Sequence, residues 1–161
     1  MASLAQEIQS PSNCAADLSL QNPVVLQALN GFLGYDPLYH AGCLTDSQGN
    51  YCFANAITNT TAPTSSYIYY LPLGVQLPAG TEPACSQCLQ STMSIFAAAS
   101  SNNSVPISGD YSSAAAQVDR SCGSSFAQAS VRTTNAASSF AAQPLGLGII
   151  PLIVVVLAFV A

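Results

Sequence analysis

The stretch CSQCLQSTMSIFAAA, residues 85–99, decides the fold class. Wound as a helix, it sets Cys85, Cys88, Leu89, Thr92 and Phe96 on one face, the spacing of an amphipathic α-helix. A second stretch repeats the pattern. Tyr111, Ala115, Val118 and Cys122 fall at i, i+4, i+7 and i+11, and Gly123 stands where such a helix ends. Two apolar helical faces that each carry cysteine predict a disulfide between helices. The fold is therefore read as mainly α: a small disulfide-stapled helical domain plus a C-terminal hydrophobic helix.

The chain before this pair reads in the same way. Asn22-Pro23 supplies an N-cap and a first-turn proline, and Val25, Leu26, Leu29, Phe32 and Leu33 follow at helical spacing. Gly34 and Asp36-Pro37 are expected to stop this helix, with another short turn of helix over Leu38 to Cys43. Ala2 to Gln9 is read as a helix ending near Ser10-Pro11. Tyr51 to Ile57, apolar around Cys52, suits either a helix or an extended segment. Tyr67 to Leu77 is predicted to be extended, because Pro72 and Gly74 oppose a helix. Residues 58–66 and 100–108 are polar loops, and Asp36 and Asp110 sit where helix caps belong.

Composition narrows the function classes. Charged residues make up 6% of the chain, against roughly 25% in an ordinary soluble domain. Lys and Arg together number 2 and the net charge is −5, so the clustered cations that grip a phosphate backbone are missing. No nucleic-acid partner is expected. The cysteines number 6, at Cys14, Cys43, Cys52, Cys85, Cys88 and Cys122. An even count scattered through a small domain points to disulfides in an oxidising compartment, with connectivity unreadable. The tripeptides Asn59-Thr60-Thr61 and Asn102-Asn103-Ser104 make Asn59 and Asn102 N-glycosylation candidates in polar stretches. Met1 to Asn13 shows no basic region followed by an apolar one, so no signal peptide is visible.

From Thr133 onward no charge occurs. Small residues at Asn135-Ala136-Ala137, a spacer over Ser138 to Pro144 and an apolar Leu145 to Ala161 follow the order of a GPI signal, with Asn135 as attachment candidate. As a helix the apolar run would rise only about 25 Å, short of a ~30 Å hydrocarbon core. No cation follows it, and Pro151 interrupts it. Cleavage is preferred to a retained transmembrane tail. The expected domains are a cysteine-rich helical unit over 1–129, a Ser/Ala-rich linker over 130–144 and the tail over 145–161.

Catalytic chemistry is hard to find. Cys85-Ser86-Gln87-Cys88 has the form of a redox pair, but no βαβ pattern surrounds it, and two structural cysteines bonded elsewhere fit better. A zinc site using Cys85, Cys88, Cys43, Cys52 or His40 lacks a second CxxC. His40 is the single histidine and reads as a packed or hydrogen-bonded side chain. Asp17, Asp36, Asp46, Glu82, Asp110 and Asp119 are dispersed, with no evident pair for glycoside hydrolysis. No catalytic, cofactor-binding or metal residue is assigned. Tyr67, Tyr69 and Tyr70 are the aromatic surface that a sugar would stack on, or else ordinary packing.

Several segments carry a resemblance. Asn13-Cys14, Asn22-Pro23-Val24-Val25, Tyr51-Cys52-Phe53-Ala54-Asn55-Ala56, Tyr70-Leu71-Pro72-Leu73-Gly74, Pro83-Ala84-Cys85-Ser86-Gln87-Cys88 and Cys122-Gly123 resemble the ascomycete family called domain of unknown function 7729. The similarity runs from Met1 to Ala129. It implies a surface protein with a signal peptide, a cysteine-rich domain, a Ser/Ala-rich stretch and a hydrophobic tail, and it brings no activity or catalytic residue. Members carry a leader and further cysteine-containing sequence upstream, so the chain is expected to be truncated at its N-terminus. The functional expectation is a non-enzymatic, GPI-anchored fungal cell-surface or cell-wall protein, joined to the membrane by a lipid anchor or a C-terminal helix. Cell-wall glycans are its candidate partners. The alternatives are an extracellular carbohydrate binder or hydrolase, and a tail-anchored membrane protein.

Overall fold

The computed structural model describes residues 1–127. The linker, Asn135 and the hydrophobic tail expected after residue 129 lie outside the described residues. Within them the chain forms six α-helices and two 3₁₀ segments: α1 (Ala2–Ile8), α2 (Ala15–Ser19), α3 (Pro23–Gly42), α4 (Cys52–Thr58), a long 3₁₀ segment (Pro63–Leu73), α5 (Gln87–Ser100), a short 3₁₀ turn (Pro106–Gly109) and α6 (Tyr111–Cys122). Among the described residues the sole β pairing is an isolated antiparallel bridge between Thr45 and Tyr51.

The core is built where α5, α6 and both 3₁₀ segments meet. Helix α5 buries Leu89, Thr92, Met93, Phe96 and Ser100, and α6 buries Tyr111, Ala114, Ala115 and Val118. Ser86 caps α5, its hydroxyl accepting from the Leu89 N–H at 3.2 Å. Gly123, at φ +103°, ends α6 in a conformation that favours glycine. Asp110 stands at the N-cap position of α6 but does not cap it. Its carboxylate instead accepts from Gln76 Nε2 at 3.0 Å.

Helix α3 departs from expectation. Asn22 and Pro23 begin it as read, with Asn22 Oδ1 accepting from the Val24 N–H at 3.1 Å. The helix then passes through Gly34, Asp36 and Pro37 and runs 20 residues to Gly42. Pro37 deletes one backbone hydrogen bond, which costs on the order of 3 kcal/mol in isolation. Packing outweighs that loss, because Gly34, Pro37 and Ala41 form the buried stripe of the helix. Gly34 is a contact residue, not a stop: a Cβ there would overlap the backbone carbonyl of Pro72. Asp36, expected as a cap, lies on the exposed side of α3.

Residues 67–73 of the stretch expected to be extended lie instead in the long 3₁₀ segment, which also takes in residues 63–66 of the expected polar loop. Pro63 opens it, and Gly74, at φ +76°, closes it. A 3₁₀ helix repeats every three residues, and Ser65, Ile68 and Leu71 accordingly form one buried row. Tyr67 and Tyr70 share an exposed edge, while Tyr69 is buried beside Pro72. Pro72, one residue from the end of the segment, has no N–H to donate to the carbonyl three residues before it, so the segment gives up one hydrogen bond there while the Pro72 ring is buried.

Tyr111 closes the far side of the core. Its hydroxyl faces the carbonyl oxygens of Met93, at 3.0 Å, and Ala127, and Asp119 Oδ1 accepts from the Ala127 N–H at 2.7 Å. Burial, with the Asp119 carboxylate nearby, pushes the Tyr111 phenol well above its ordinary 10.0. Burial raises the Tyr69 phenol too.

Two outcomes follow. Gly34→Ala should destabilise the fold by about 2–4 kcal/mol, since backbone stands where the methyl must go. Gly31→Ala, which meets nothing within 4 Å, should be neutral or slightly stabilising in the same urea titration. A raised phenol pKa leaves stability untouched below about pH 10 and lowers it above, because the unfolded chain then releases a proton that the folded chain keeps. Urea midpoints of thiol-blocked protein should therefore fall above about pH 10, and Tyr111→Phe should flatten that fall while costing ~1–2 kcal/mol at neutral pH.

Candidate functional site

One cleft opens where four distant segments converge. It is lined by the 45–47 loop, α4, Ser65 and Tyr69 of the long 3₁₀ segment, and residues 84–92 around the start of α5, and it encloses about 320 Å³. Two covalent links hold this region. Cys52 of α4 is bonded to Cys88 in the first turn of α5, and Cys85, just before α5, is bonded to Cys122 at the end of α6. Both pairs have Cα atoms 5.4 Å apart, inside the ordinary disulfide range. The CxxC cysteines are thus each bonded to a different partner distant in sequence, and do not form a redox pair with one another. The same bonds remove both sulfurs from any zinc set.

Hydrogen bonds fix the other walls. Thr64 Oγ1 donates to the Glu82 carbonyl at 3.0 Å and accepts from its N–H at 3.2 Å, and Ser65 Oγ accepts from the Ala84 N–H at 3.0 Å. Tyr69 and Thr92 share a hydroxyl contact of 3.3 Å behind the cleft, and Phe53 meets the Tyr69 ring edge-on at 4.8 Å between centroids. The 45–47 rim is shaped by Asp46, whose carboxylate accepts from the N–H groups of Gln48 and Asn50 at 2.9 Å and from Asn55 Nδ2 at 2.8 Å. The Asn50 N–H bond leads these in holding the Asp46 carboxyl below its ordinary 3.8. Among the described residues Asp46 is the one carboxylate lining the cleft, and it stays ionised, so it serves as an acceptor and not as a general acid.

The residues singled out in the sequence are mostly scattered. Asn59, at the end of α4, lines the cleft, with its Oδ1 accepting from the Thr61 N–H, the Thr61 hydroxyl and the Ala62 N–H at 3.0, 2.8 and 2.9 Å. Asn102 lies exposed in the loop after α5. Tyr67 and Tyr70 stay outside the cleft that Tyr69 lines, so the three rings make no common platform. His40 sits exposed on α3, 3.7 Å from Asp36. Cys14 is half-buried and Cys43 exposed, both with free thiols. Cys43 ends α3, whereas Cys14 precedes the short α2 that leads into its beginning. Among the described residues, no three His, Cys, Asp or Glu side chains gather as a metal site, and no helix is long and apolar enough to cross a membrane.

The family model described as Domain of unknown function (DUF7729) matches residues 1–131. The chain belongs to that family. Comparison with curated proteins and with solved structures gives no match. The match of the DUF7729 model takes in both disulfides and every cleft residue named above, so the cleft is part of the family domain of this chain.

Under non-reducing conditions, peptide mapping should recover Cys52–Cys88 and Cys85–Cys122, and a thiol titration should find Cys43 reacting ahead of Cys14. Replacing Cys85 and Cys122 together by serine should lower stability by about 2–5 kcal/mol in urea melts.

Proposed function

We propose that this chain is a non-enzymatic domain held at the fungal cell surface or in the cell wall by a C-terminal GPI anchor. The observation that carries this reading is the pair of disulfides across the domain, since such bonds persist in oxidising compartments. The order of small residues, spacer and apolar run after Thr133 supports it, with Asn135 as the attachment residue. The sequon asparagines Asn59 and Asn102 sit in or beside loops, where a glycan can be carried. The single ionised carboxylate in the cleft favours binding over hydrolysis, because glycoside hydrolysis needs two.

Full-length protein in intact cells of its own host provides the test. Phosphatidylinositol-specific phospholipase C should release it, and mass spectrometry of the released form should lack Leu145–Ala161. Retention on the cells with an intact tail would sink the anchor and leave a tail-anchored membrane protein in its place.

A further inference from the structure

We infer that the cleft between α4 and the start of α5 is a binding site for a neutral saccharide. Its volume of about 320 Å³ lies at the lower end of pockets that hold small ligands, with room for a sugar ring and part of its neighbour. Among the described residues no Lys, Arg or His lines it, and Asp46 faces it with a negative charge, so a phosphate or carboxylate ligand is repelled. A cation fares little better, because the Asp46 carboxylate is already engaged by Gln48, Asn50 and Asn55.

What remains is a mixed surface. Tyr69, Ala56, Ala84 and the Cys52–Cys88 bridge offer apolar contact, while Asn59, Gln87 and Ser91 offer neutral donors and acceptors. A pyranose has the same mixture, with C–H faces between equatorial hydroxyls. Aromatic and small apolar groups suit the first, and amides and hydroxyls suit the second. Gln87 Nε2 contacts Ser91 Oγ at 3.3 Å, a long bond on an exposed rim that a ligand hydroxyl can replace.

Asn59 gives a second, independent indication. It is a sequon asparagine that lines the cleft, and its Oδ1 is occupied by its own turn through Thr61 and Ala62. None of the hydrogen bonds among the described residues uses its Nδ2, the atom to which a glycan is attached. The saccharide therefore has two possible sources, a glycan of the surroundings or the chain's own glycan on Asn59. Only the second source rests on the reading of the chain as secreted.

The test uses unglycosylated full-length chain, oxidised to its two disulfides, and saturation-transfer NMR with glucose, mannose, N-acetylglucosamine and their disaccharides. At least one sugar should receive saturation from the protein. Ser91→Phe, which fills the cleft, should abolish the transfer, and Ser112→Phe, on the exposed side of α6, should leave it intact. Circular dichroism and the thermal midpoint establish that both variants fold, and should Ser91→Phe fail, Gln87→Ala at the exposed rim should weaken transfer in its place. No transfer to any sugar, or transfer that neither cleft variant changes, overturns the inference. A second arm uses glycosylated chain. If its own glycan fills the cleft, added sugar gains no saturation until Asn59→Gln removes that glycan. If the ligand is external, glycosylated and unglycosylated chains bind alike. Phospholipase release reads the anchor separately, so either proposal can fail alone.

Discussion

Cys85 and Cys88 stand three residues apart and lead to different helices, one to the last residue of α6 and the other to the first of α4. The rest of the cleft-bearing half depends on this divergence. Ion pairs offer little help in a chain with 6% charged residues; among those described, the one pair is the exposed His40 and Asp36. The core is small and rich in alanine, which contributes little burial per residue. Closing loops of 36 and 37 residues removes entropy from the unfolded chain and offsets that shortage. It also makes the mouth of the cleft a covalently defined place, since Cys52 and Cys88 both line it.

The helices that carry the strongest periodicity were legible in the sequence. In α5 and α6 the apolar spacing and the stop at Gly123 agree with the packing, whereas the cap at Ser86 was not read and the one expected at Asp110 does not form. Helix α3 was legible at its start and misleading at its end. Gly34 and Pro37 are helix breakers by local preference, yet both are buried against neighbouring segments, and packing overrides propensity there. The long 3₁₀ segment was hidden for another reason. Its row of Ser65, Ile68 and Leu71 has a period of three, which lies between the two periods by which strands and helices are recognised.

The cleft was not legible, because four segments far apart in sequence build it and no short motif spells it out. Several of its residues were noticed for other reasons: Asp46 among the acids, Cys52 and Cys88 among the cysteines, Leu89 and Thr92 on a helical face, Asn59 for its sequon and Tyr69 for its aromatic neighbours. The tyrosines misled as a group. In a segment of three residues per turn, Tyr67 and Tyr70 fall on one edge and Tyr69 on another, so adjacency in sequence becomes separation in space. The bonding partners of Cys85 and Cys88 were equally unreadable, because six cysteines allow 15 pairings and spacing alone chooses none of them.

The diverging disulfides also decide how the chain carries mechanical load. A pull between its two ends enters at the C-terminal side, reaches Cys122 and crosses to Cys85. It then passes along Ser86 and Gln87 to Cys88 and crosses again to Cys52. Tension therefore follows a covalent shortcut, and most of the chain between Cys52 and Cys122 is shielded from it. The loaded path touches the cleft at Ser86, Gln87 and the Cys52–Cys88 bond, and leaves its other walls unloaded. Among the described residues, what lies outside the shortcut is the stretch before Cys52, above all α3, and the few residues after Cys122, so the domain lengthens there first while the bridged remainder keeps its shape.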